Sequence, residues 1–468
     1  MIADVIRAIG IFALSYYVLM HLYVLGLSIG SGFALRRSHH LQRFGRVPEM
    51  LSSRMAPPVS IVIPAYNEAA GIVDSIRSMS IVAYPRFEIV ITNDGSSDDT
   101  LAMLIEAFDL ELARIPYRPD IPTAQVKAIY RGKGAVEITV VDKENGGRAD
   151  ALNAGINAAR YPYVLCTDAD VILDANCLVR SMQRVVEDRD RVVAVGGNIR
   201  PLNGSRVELG HLIESHVPRG LIARMQILEY MRTFISSRPA WSAANALPNV
   251  SGAFGVWKRT AVMEVGGFSH GHLGEDMDLT IRLHKHHLEK EIPYRIVYEP
   301  SAVIWTEVPP TRRVLRRQRI RWHRGLIETV KDFMPITFNP RYGRLGMVVW
   351  PGYVMFEFLA PIVEVIGYIV VPLGIVLGIL KVEAIVLVIA VAFGVGILNS
   401  LIAILLDEPY GYSNHGSDTA RLVVMALVEQ FGFHQMTVVW RVRALFGGRS
   451  VRSWGNMERR GVASLGEA

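Results

Sequence analysis

The chain has 468 residues, half of them hydrophobic, and a mean hydropathy of +0.26. That is too apolar for a protein without membrane segments, while a charged fraction of 20% is too high for a bundle of membrane helices alone. A soluble domain combined with membrane spans is expected, and the net charge of +6 fits a membrane protein with basic cytosolic flanks. The sequence shows neither zinc-like spacing nor the basic and aromatic pattern of nucleic-acid binding. Its two cysteines are too few for a disulfide framework.

The first predicted element is a membrane helix at residues 1–35, because residues 8–34 form an apolar run long enough to cross a bilayer. Basic residues are dense directly after the run, whereas Arg7 alone precedes it. The positive-inside rule therefore predicts an external N-terminus and a basic cytosolic linker at 36–55. A cleaved signal peptide is the alternative, but the run is too long for one and lacks a clear cleavage site.

The residues that follow, 56–310, alternate between strand-like and helix-like patterns. The strand-like stretches are nearly continuously apolar and end in polar residues: 59-VSIVIPAYNE-68, 88-EIVITNDGSSDDT-100, 137-EITVVDKEN-145 and 163-YVLCTDAD-170. Such strands, separated by helices, predict a parallel sheet covered on both faces. Ligands of these sheets bind beyond the carboxyl ends of the strands, so the polar ends are candidate binding residues.

The paired carboxylates Asp168 and Asp170 carry the strongest signal among these strand ends. Residues i and i+2 of an extended segment point to the same side, so the two like charges need a cation between them. Hard cations such as Mg²⁺ bind one or two carboxylates together with substrate phosphates. A metal–diphosphate site is therefore predicted here, whereas a single Asp-Gly pair such as Asp94-Gly95 is on its own more typical of a turn.

Apolar runs return near the C-terminus, at about 345–380, 383–406 and 420–440, and predict a membrane region at 345–440. The tail at 441–468 is rich in arginine and is expected to be cytosolic. A cytosolic linker and a cytosolic tail require an even number of crossings between them. Four crossings fit the C-terminal apolar runs if the first run crosses twice, and two fit if part of that run lies on the membrane surface.

Six motifs occur in an order that resembles the membrane-integrated, processive family 2 glycosyltransferases: PAYNE, NDGSSD, ENGGRADALN, TDAD, GEDMD and QRIRW. This family includes cellulose synthase, hyaluronan synthase and poly-β-1,6-N-acetylglucosamine synthase, and stretches such as SGAFG look most similar to the last of these. The resemblance runs from about residue 56 to the C-terminus. It implies an α/β nucleotide-diphosphosugar transferase (GT-A) domain with a Rossmann-like mixed sheet at 56–310. Interfacial helices would follow at 311–344, before the helical transmembrane region.

The resemblance implies that the strand ends hold a nucleotide sugar. Four residues would cradle the uridine: Ala65, Tyr66, Glu68 and Asp94. The residue before the last of these is Asn93, where relatives often have a further aspartate. Arg148 stands where they usually have lysine and would contact the diphosphate, which arginine can bind through two parallel hydrogen bonds. Asp168 would help to hold the nucleotide, and Asp170 would bind Mg²⁺ or Mn²⁺, which neutralises the leaving diphosphate.

The same resemblance assigns the general base to Asp276, beside Glu275, in 274-GEDMD-278. Such a base takes the proton from the acceptor hydroxyl as that hydroxyl attacks the anomeric carbon. Acids here also fit a helix N-terminus, where the helix dipole favours them, and the two interpretations are compatible. Gly252 and Ala253 of SGAFG would line the acceptor pocket, with a tight turn as the alternative.

The basic segment 318-QRIRWHRG-325 has two interpretations. A collar of arginines is typical of a surface that meets anionic lipid headgroups. The resemblance instead implies that Gln318, Arg319 and Arg321 face the diphosphate and stabilise charge on the leaving group. Trp322 would stack on the terminal sugar of the acceptor. Both interpretations fit one interfacial helix.

The tail motif 454-WGNMER-459 resembles the family's gating loop, which covers the bound nucleotide. Trp454 and Arg459 are its candidate residues. This interpretation requires a cytosolic tail, which the arginines of the tail independently favour.

These expectations describe an inverting hexosyltransferase that extends a β-linked exopolysaccharide from a UDP-sugar, with UDP-GlcNAc favoured, and exports it through its own helices. It would be a multi-pass protein of the plasma or inner membrane with a cytosolic catalytic domain. Its partners would be the donor, the growing polysaccharide and the bilayer, and accessory export subunits also fit. The alternative is a non-processive enzyme that adds one sugar to a lipid or lipid-linked acceptor. A non-catalytic nucleotide-binding component is a third class, which the intact acidic residues disfavour.

Overall fold

The computed structural model describes residues 1–44, 56–114, 117–208, 211–410 and 416–446. The described residues form two compact units. The sheet unit takes its residues from 38–216 and 242–308, and the helical unit takes its residues from 1–37, 217–241 and 309 onward.

The sheet unit contains one large mixed sheet and a separate hairpin. The strands are β1 (Val59–Ala65), β2 (Phe87–Asp94), β3 (Glu111–Leu112), β4 (Val126–Lys133), β5 (Glu137–Lys143), β6 (Tyr163–Thr167), β7 (Ile172–Leu173), β8 (Val192–Pro201), β9 (Arg206–Glu208), β10 (His211–Glu214), β11 (Phe254–Lys258) and β12 (Arg295–Thr306). β9 and β10 form the antiparallel hairpin, and the other strands are ordered β3-β4-β5-β2-β1-β6-β11-β8-β12-β7. β5, β2, β1 and β6 run parallel, whereas β11 is antiparallel to both β6 and β8.

Helices occur in both units. They are α1 (Ile2–Phe44), α2 (Ile72–Ser80), α3 (Thr100–Ala107), α4 (Arg148–Ala158), α5 (Cys177–Glu187), α6 (Leu221–Phe234), α7 (Arg238–Ala243), α8 (Arg259–Glu264), α9 (Glu275–Glu289), α10 (Arg312–Asp332), α11 (Trp350–Tyr353), α12 (Ala360–Val376), α13 (Val382–Asp407), α14 (Gly416–Val428) and α15 (Phe433–Phe446). Two π-helical turns, Leu345–Val349 and Val354–Phe358, flank α11.

The four parallel strands form the buried centre of the sheet. Val62 of β1 pairs with Val90 of β2 and with Cys166 of β6, and all three side chains are buried. Apolar residues on both faces of a strand are typical of a parallel sheet covered by helices, and α4 packs on β1 and β2. Because these strands run in the same direction, their carboxyl ends meet at one edge. Those ends are Ala65, Asp94, Lys143 and Thr167.

The opposite edge, where the parallel strands begin, is closed by an ion-pair cluster that we call the amino-edge cluster (Ser60, Glu88, Glu137 and Arg160). Glu88 is only 1% exposed, and its Oε1 accepts hydrogen bonds from Ser60 Oγ at 2.6 Å and from the Arg160 amide at 2.8 Å. Its Oε2 lies 2.7 Å from the Arg160 guanidinium, which also reaches Glu137 at 2.6 Å. Every oxygen of the buried carboxylate therefore has a donor.

The helical unit contains segments that are long and apolar enough to cross a membrane. Ile2–Arg37 and Ile385–Tyr410 qualify as single helices. Two bent pairs qualify if each pair is one span: Leu345–Phe358 with Ala360–Val376, bent by 41°, and Gly416–Val428 with Phe433–Phe446, bent by 61°. Two to four spans therefore fit the described residues by length and composition.

Two buried glutamates in or beside these apolar segments, Glu364 and Glu429, are paired. Glu364 of α12 is buried, and its Oε2 lies 2.7 Å from His434 Nε2 of α15 and accepts from Tyr368 at 3.0 Å. Glu429 similarly binds both terminal nitrogens of Arg232 on α6. Such pairing is expected where a charge lies at membrane depth, since an unpaired ion there is costly.

Candidate active site

The loops after β1 and β2 are bound to each other at the carboxyl edge of the sheet. Asn67 donates its amide hydrogen to Ser96 Oγ at 3.0 Å, and its side-chain oxygen accepts from the Ser97 amide at 2.8 Å. The Glu68 amide donates to Thr100 Oγ1 at 2.9 Å. These bonds hold the PAYNE and NDGSSD motifs together, as the parallel pairing of their strands requires.

The residues predicted to cradle the uridine differ in exposure. Ala65 is buried at the end of β1, where it pairs with Asn93, whereas Tyr66 is 49% exposed and Glu68 is half-buried. An exposed aromatic ring directly after a buried strand is available for stacking on a planar base. Their roles in nucleotide binding stay predictions.

Asp94 lies in a buried ion cluster rather than on the surface. Its Oδ1 accepts from Lys143 Nζ at 2.6 Å and from the Gly146 amide at 2.9 Å, and its Oδ2 accepts from the Gly147 amide at 2.8 Å. Lys143 is itself fully buried and lies 2.5 Å from Asp150 Oδ1, an ion-pair contact without the alignment of a hydrogen bond. We call Asp94, Lys143 and Asp150 the lysine cluster.

Arg148 begins α4 directly after the glycines and is the centre of a second cluster. Its Nε and Nη2 donate to Asp168 Oδ1 at 2.9 and 2.7 Å. Nη1 donates to Glu275 Oε1 at 2.7 Å, and Nη2 also donates to the Gly252 carbonyl at 2.9 Å. One guanidinium thus joins the end of β6, the SGAFG loop and the start of α9. We call Arg148, Asp168, Gly252, Glu275 and Asp276 the carboxyl-edge cluster.

The charged groups of this cluster shift one another's pKa values. Burial opposes the charge of Arg148, but Asp168 and Glu275 outweigh it and raise the pKa of the guanidinium above its ordinary value. Burial, with a contribution from Asp276, raises the pKa of Glu275, while Arg148 opposes that rise. Two adjacent acids at the start of α9 are tolerated because the arginine and the helix dipole offset their repulsion.

Asp276 is oriented by the backbone around it. Its Oδ2 accepts from the Gly252 amide at 2.9 Å, and its Oδ1 accepts from the Met277 amide at 2.8 Å. The backbone N–H of Gly252 therefore donates to Asp276, while the backbone carbonyl of the same residue accepts from Arg148. The neighbouring Ala253 carbonyl accepts from Thr167 Oγ1 at 2.9 Å, which holds the SGAFG loop against β6.

The end of β6 has donors suited to a divalent cation. Both Arg148 bonds go to Oδ1 of Asp168, whose side chain is 27% exposed, and no described residue donates to its Oδ2. Asp170 is half-buried two residues further on. Among the described residues no three His, Cys, Asp or Glu side chains are grouped closely enough to hold a metal. Carboxylates that share the cation with substrate phosphates fit this donor set.

The QRIRW residues lie on α10 in the helical unit. Arg319 is buried, and its Nη2 donates to Glu229 Oε2 of α6 at 2.8 Å. Its guanidinium lies 4.5 Å from the ring centroid of Trp322, which is 42% exposed. Gln318 and Arg321 are half-buried. The predicted contacts of these four residues with a diphosphate or an acceptor sugar stay predictions. Trp454 and Arg459 of the predicted gating loop lie outside the described residues.

Several partner residues described above were not anticipated from the sequence, among them Lys143 and Glu229. Lys143 is the last residue of β5, and its sequence context is that of a solvated strand end, since lysine is rarely buried. Glu229 is 90 residues from its partner Arg319. A basic residue between Asp142 and a glycine loop was the available signal for Lys143, and the sequence offers no local signal for Glu229.

Comparison with known proteins places the chain in a family. Residues 57–325, more than half of the chain, match the family described as "Glycosyltransferase like family 2". The chain belongs to glycosyltransferase family 2. This match, with the mixed sheet, confirms the predicted family and GT-A fold class, and the chain is a glycosyltransferase.

Similar sequences include poly-beta-1,6-N-acetyl-D-glucosamine synthases of two staphylococci. The protein of Staphylococcus aureus (strain COL) is 30% identical over 286 residues, which are 61% of this chain and 58% of that protein. The Staphylococcus epidermidis (strain ATCC 35984) protein is 30% identical over 279 residues, 59% of this chain and 57% of that protein. The alignment thus spans under two thirds of each relative's length.

Two solved structures that align with this chain have TM-scores below 0.5. The mannosyltransferase PcManGT from Pyrobaculum calidifontis, in complex with GDP-Man and Mn²⁺, is 17% identical, with 91% of this chain and 98% of that chain covered and a TM-score of 0.47. S. aureus TarS 1-349 is 15% identical, with 80% and 90% covered and a TM-score of 0.38.

Proposed function

We propose that this glycosyltransferase is an inverting, processive synthase that polymerises a β-linked exopolysaccharide from a UDP-sugar. The observation that carries the proposal is the carboxyl-edge cluster. It joins a candidate diphosphate ligand, Arg148, to a candidate base, Asp276, through the backbone N–H and C=O groups of one residue, Gly252. Donor and acceptor chemistry would thus be neighbours at the edge of the sheet where ligands of α/β folds bind.

In the proposed reaction an acceptor hydroxyl attacks the anomeric carbon of the donor. The new bond forms between that oxygen and the carbon as the bond to the UDP oxygen breaks, so the configuration inverts. Asp276 accepts the hydroxyl proton, and its backbone hydrogen bonds hold it in place while it does so. UDP leaves with the bonding electrons.

Arg148 would bind the diphosphate, with Glu275 and Asp168 holding the guanidinium in position. Asp168 and Asp170 would hold Mg²⁺ or Mn²⁺, which when bound neutralises charge on the leaving diphosphate. Tyr66 would stack on the base, since its ring is exposed directly after β1.

UDP-GlcNAc is the favoured donor because of the staphylococcal relatives, which are named as poly-beta-1,6-N-acetyl-D-glucosamine synthases. Their names also support a growing polysaccharide as the acceptor. The apolar helices support a membrane location, with the catalytic residues on the cytosolic side and the polymer exported through the helices, either alone or with accessory export subunits.

A donor screen tests this function. Inverted membrane vesicles that contain the full chain, with Mg²⁺ or Mn²⁺, would receive one radiolabelled UDP-sugar at a time: GlcNAc, glucose, galactose, or glucuronate with GlcNAc. The expected result is label from UDP-GlcNAc in a high-molecular-weight, glycosidase-sensitive polymer. Label found only in a small lipid-soluble product would replace the proposal with single-sugar addition to a lipid acceptor. Vesicles with Asp276→Asn are the matched control.

A further inference from the structure

The lysine cluster is unusual because its cation is fully buried. Lys143 has no exposed side-chain surface, and Asp94 and Asp150 are 4% and 5% exposed. One positive charge thus faces two buried carboxylates, and burying charges is costly unless they are paired and hydrogen-bonded. The backbone supplies the remaining donors: the amides of Gly146 and Gly147 on Asp94, and that of Ala124 on Asp150.

The contacts of this cluster shape the loop that leads to Arg148. Lys143 Nζ also donates to the Glu144 carbonyl at 2.5 Å, so it binds the first peptide of the loop as well as both acids. Gly147 adopts φ +87°, which favours glycine, and its amide is fixed on Asp94 immediately before α4 begins. A β-carbon on Gly146 would lie 2.5 Å from Cγ of Asp150, so the loop passes the acid without room for a side chain.

The cluster also reaches the segment before Asp276. Asp150 Oδ2 accepts from the Ala124 amide at 3.0 Å and lies 3.3 Å from His270 Nδ1. His270 is six residues upstream of Asp276, and its Nε2 lies 3.1 Å from the Pro122 carbonyl. The lysine cluster therefore contacts the loop 144–147 directly, and it contacts the segment that leads to Asp276 through His270.

We propose that Lys143 is a positioning residue: by neutralising Asp94 and Asp150 it fixes the 144–147 loop and so aims Arg148 at the donor diphosphate. The inference rests on the proposed function, because it presumes that Arg148 meets a diphosphate. It assigns Asp94 a structural contact with the loop in addition to any contact with the uridine. Lys143 itself touches no substrate.

The test compares two buried ion clusters of the same sheet. Lys143→Met removes the cation of the lysine cluster, and Arg160→Met, the matched control, removes the cation that binds buried Glu88 at the opposite edge. UDP affinity would be measured by isothermal titration calorimetry on the full chain in detergent with Mg²⁺, at a temperature where thermal melting shows both variants folded. The expected result is a UDP Kd at least tenfold higher for Lys143→Met and within twofold of wild type for Arg160→Met. A KM for the donor that rises more than kcat falls would accompany it.

Equal weakening by the two variants, or unchanged UDP affinity of folded Lys143→Met, would overturn the proposal. Gly146→Ala gives an independent result if Lys143→Met does not fold, because it displaces the loop from Asp150 without removing a charge. Gly134→Ala is its control, since a β-carbon there meets nothing closer than 3.5 Å. Gly146→Ala with wild-type UDP affinity would equally overturn the proposal. A wild-type chain that binds no UDP would instead defeat the proposed function itself.

Discussion

The two edges of the parallel sheet both hold ion clusters, yet the clusters differ in what they leave accessible. In the amino-edge cluster the Glu88 carboxylate is buried, and each of its oxygens has a donor from Ser60 or Arg160. In the carboxyl-edge cluster Asp168 keeps 27% of its side chain exposed and directs one oxygen away from Arg148. We call the amino edge closed, because all oxygens of its buried carboxylate are bonded within the protein. We call the carboxyl edge open, because an exposed carboxylate oxygen there can still bind a ligand. Substitutions at the two edges should therefore separate stability from activity.

The largest expected effect is on catalysis at the open edge. Asp276→Asn should lower polymer formation by about 10³-fold, because a positioned general base contributes roughly 10²–10⁴-fold. UDP affinity should change little, because Asp276 contacts Gly252 and its own helix rather than Arg148. The measurements are initial rates and UDP calorimetry, with Glu289→Gln at the far end of α9 as the control. Loss of UDP binding together with activity would move Asp276 into the nucleotide site.

Acid should weaken the fold through a buried histidine that is not in either cluster. His284 of α9 contacts Tyr294 and the Leu247 carbonyl, and burial lowers its pKa from 6.5 to about 4. The unfolded chain takes up this proton as pH falls below 6.5, while the folded chain does so only near 4. Stability is thus complete above pH 6.5, and about 3 kcal/mol is lost between pH 6.5 and 4. The melting temperature, measured against pH, should fall less steeply between pH 6.5 and 4 for His284→Gln than for the wild type. An equally steep fall would show that His284 does not cause the loss of stability.

Variants of Arg148 should show whether donor binding at the open edge depends on the charge of this residue or on its guanidinium shape. Arg148→Met should raise the donor KM by about 30-fold, since hydrogen bonds to charged groups contribute roughly 1.5–3 kcal/mol. Arg148→Lys should cost about fivefold or less, because an ammonium keeps the charge but loses the paired hydrogen bonds. Steady-state kinetics with varied donor measures both. Equal loss for the two variants would mean that the guanidinium shape, and not its charge, is what the site needs.

The smallest expected effect on activity is at the closed edge. Glu88→Gln should lower the free energy of unfolding by about 2 kcal/mol, because it weakens the bonds of a buried carboxylate to a partly exposed arginine. Activity per folded molecule should stay within about twofold of wild type. Thermal melting and rates on the same preparation provide the comparison. An activity loss larger than the stability loss would show that the two edges are coupled.

Sequence reasoning predicted the four parallel strands better than the antiparallel strands that join them in the sheet. The stretches at β1, β2, β5 and β6 are nearly continuously apolar and end in polar residues, so both the strands and the meeting of their ends could be predicted. The antiparallel strands β11 and β7 are short and carry no alternating pattern, so their addition to the sheet could not.

The contacts within the site could not be predicted from the sequence, because they join residues that are far apart along the chain. Arg148 binds Asp168, Glu275 and Gly252, which are 20, 127 and 104 residues away along the chain. Motifs indicated that these residues belong to one site, but only the folded chain shows which atoms meet. The burial of Lys143 could not be predicted, because it depends on two acids, Asp94 and Asp150, that lie in other segments of the chain.

The arginine at the centre of the carboxyl edge is already occupied by carboxylates before any donor arrives. Under the proposed function, a diphosphate that binds Arg148 would share the guanidinium with Asp168 and Glu275, so its negative charge would lie close to two acids. A lone anion such as chloride would add negative charge there without a cation to offset it, so we expect it to compete poorly. A diphosphate accompanied by a divalent cation would bring that positive charge with it. We therefore expect the ion pairs of Arg148 to favour the complete donor–metal complex over its separate parts.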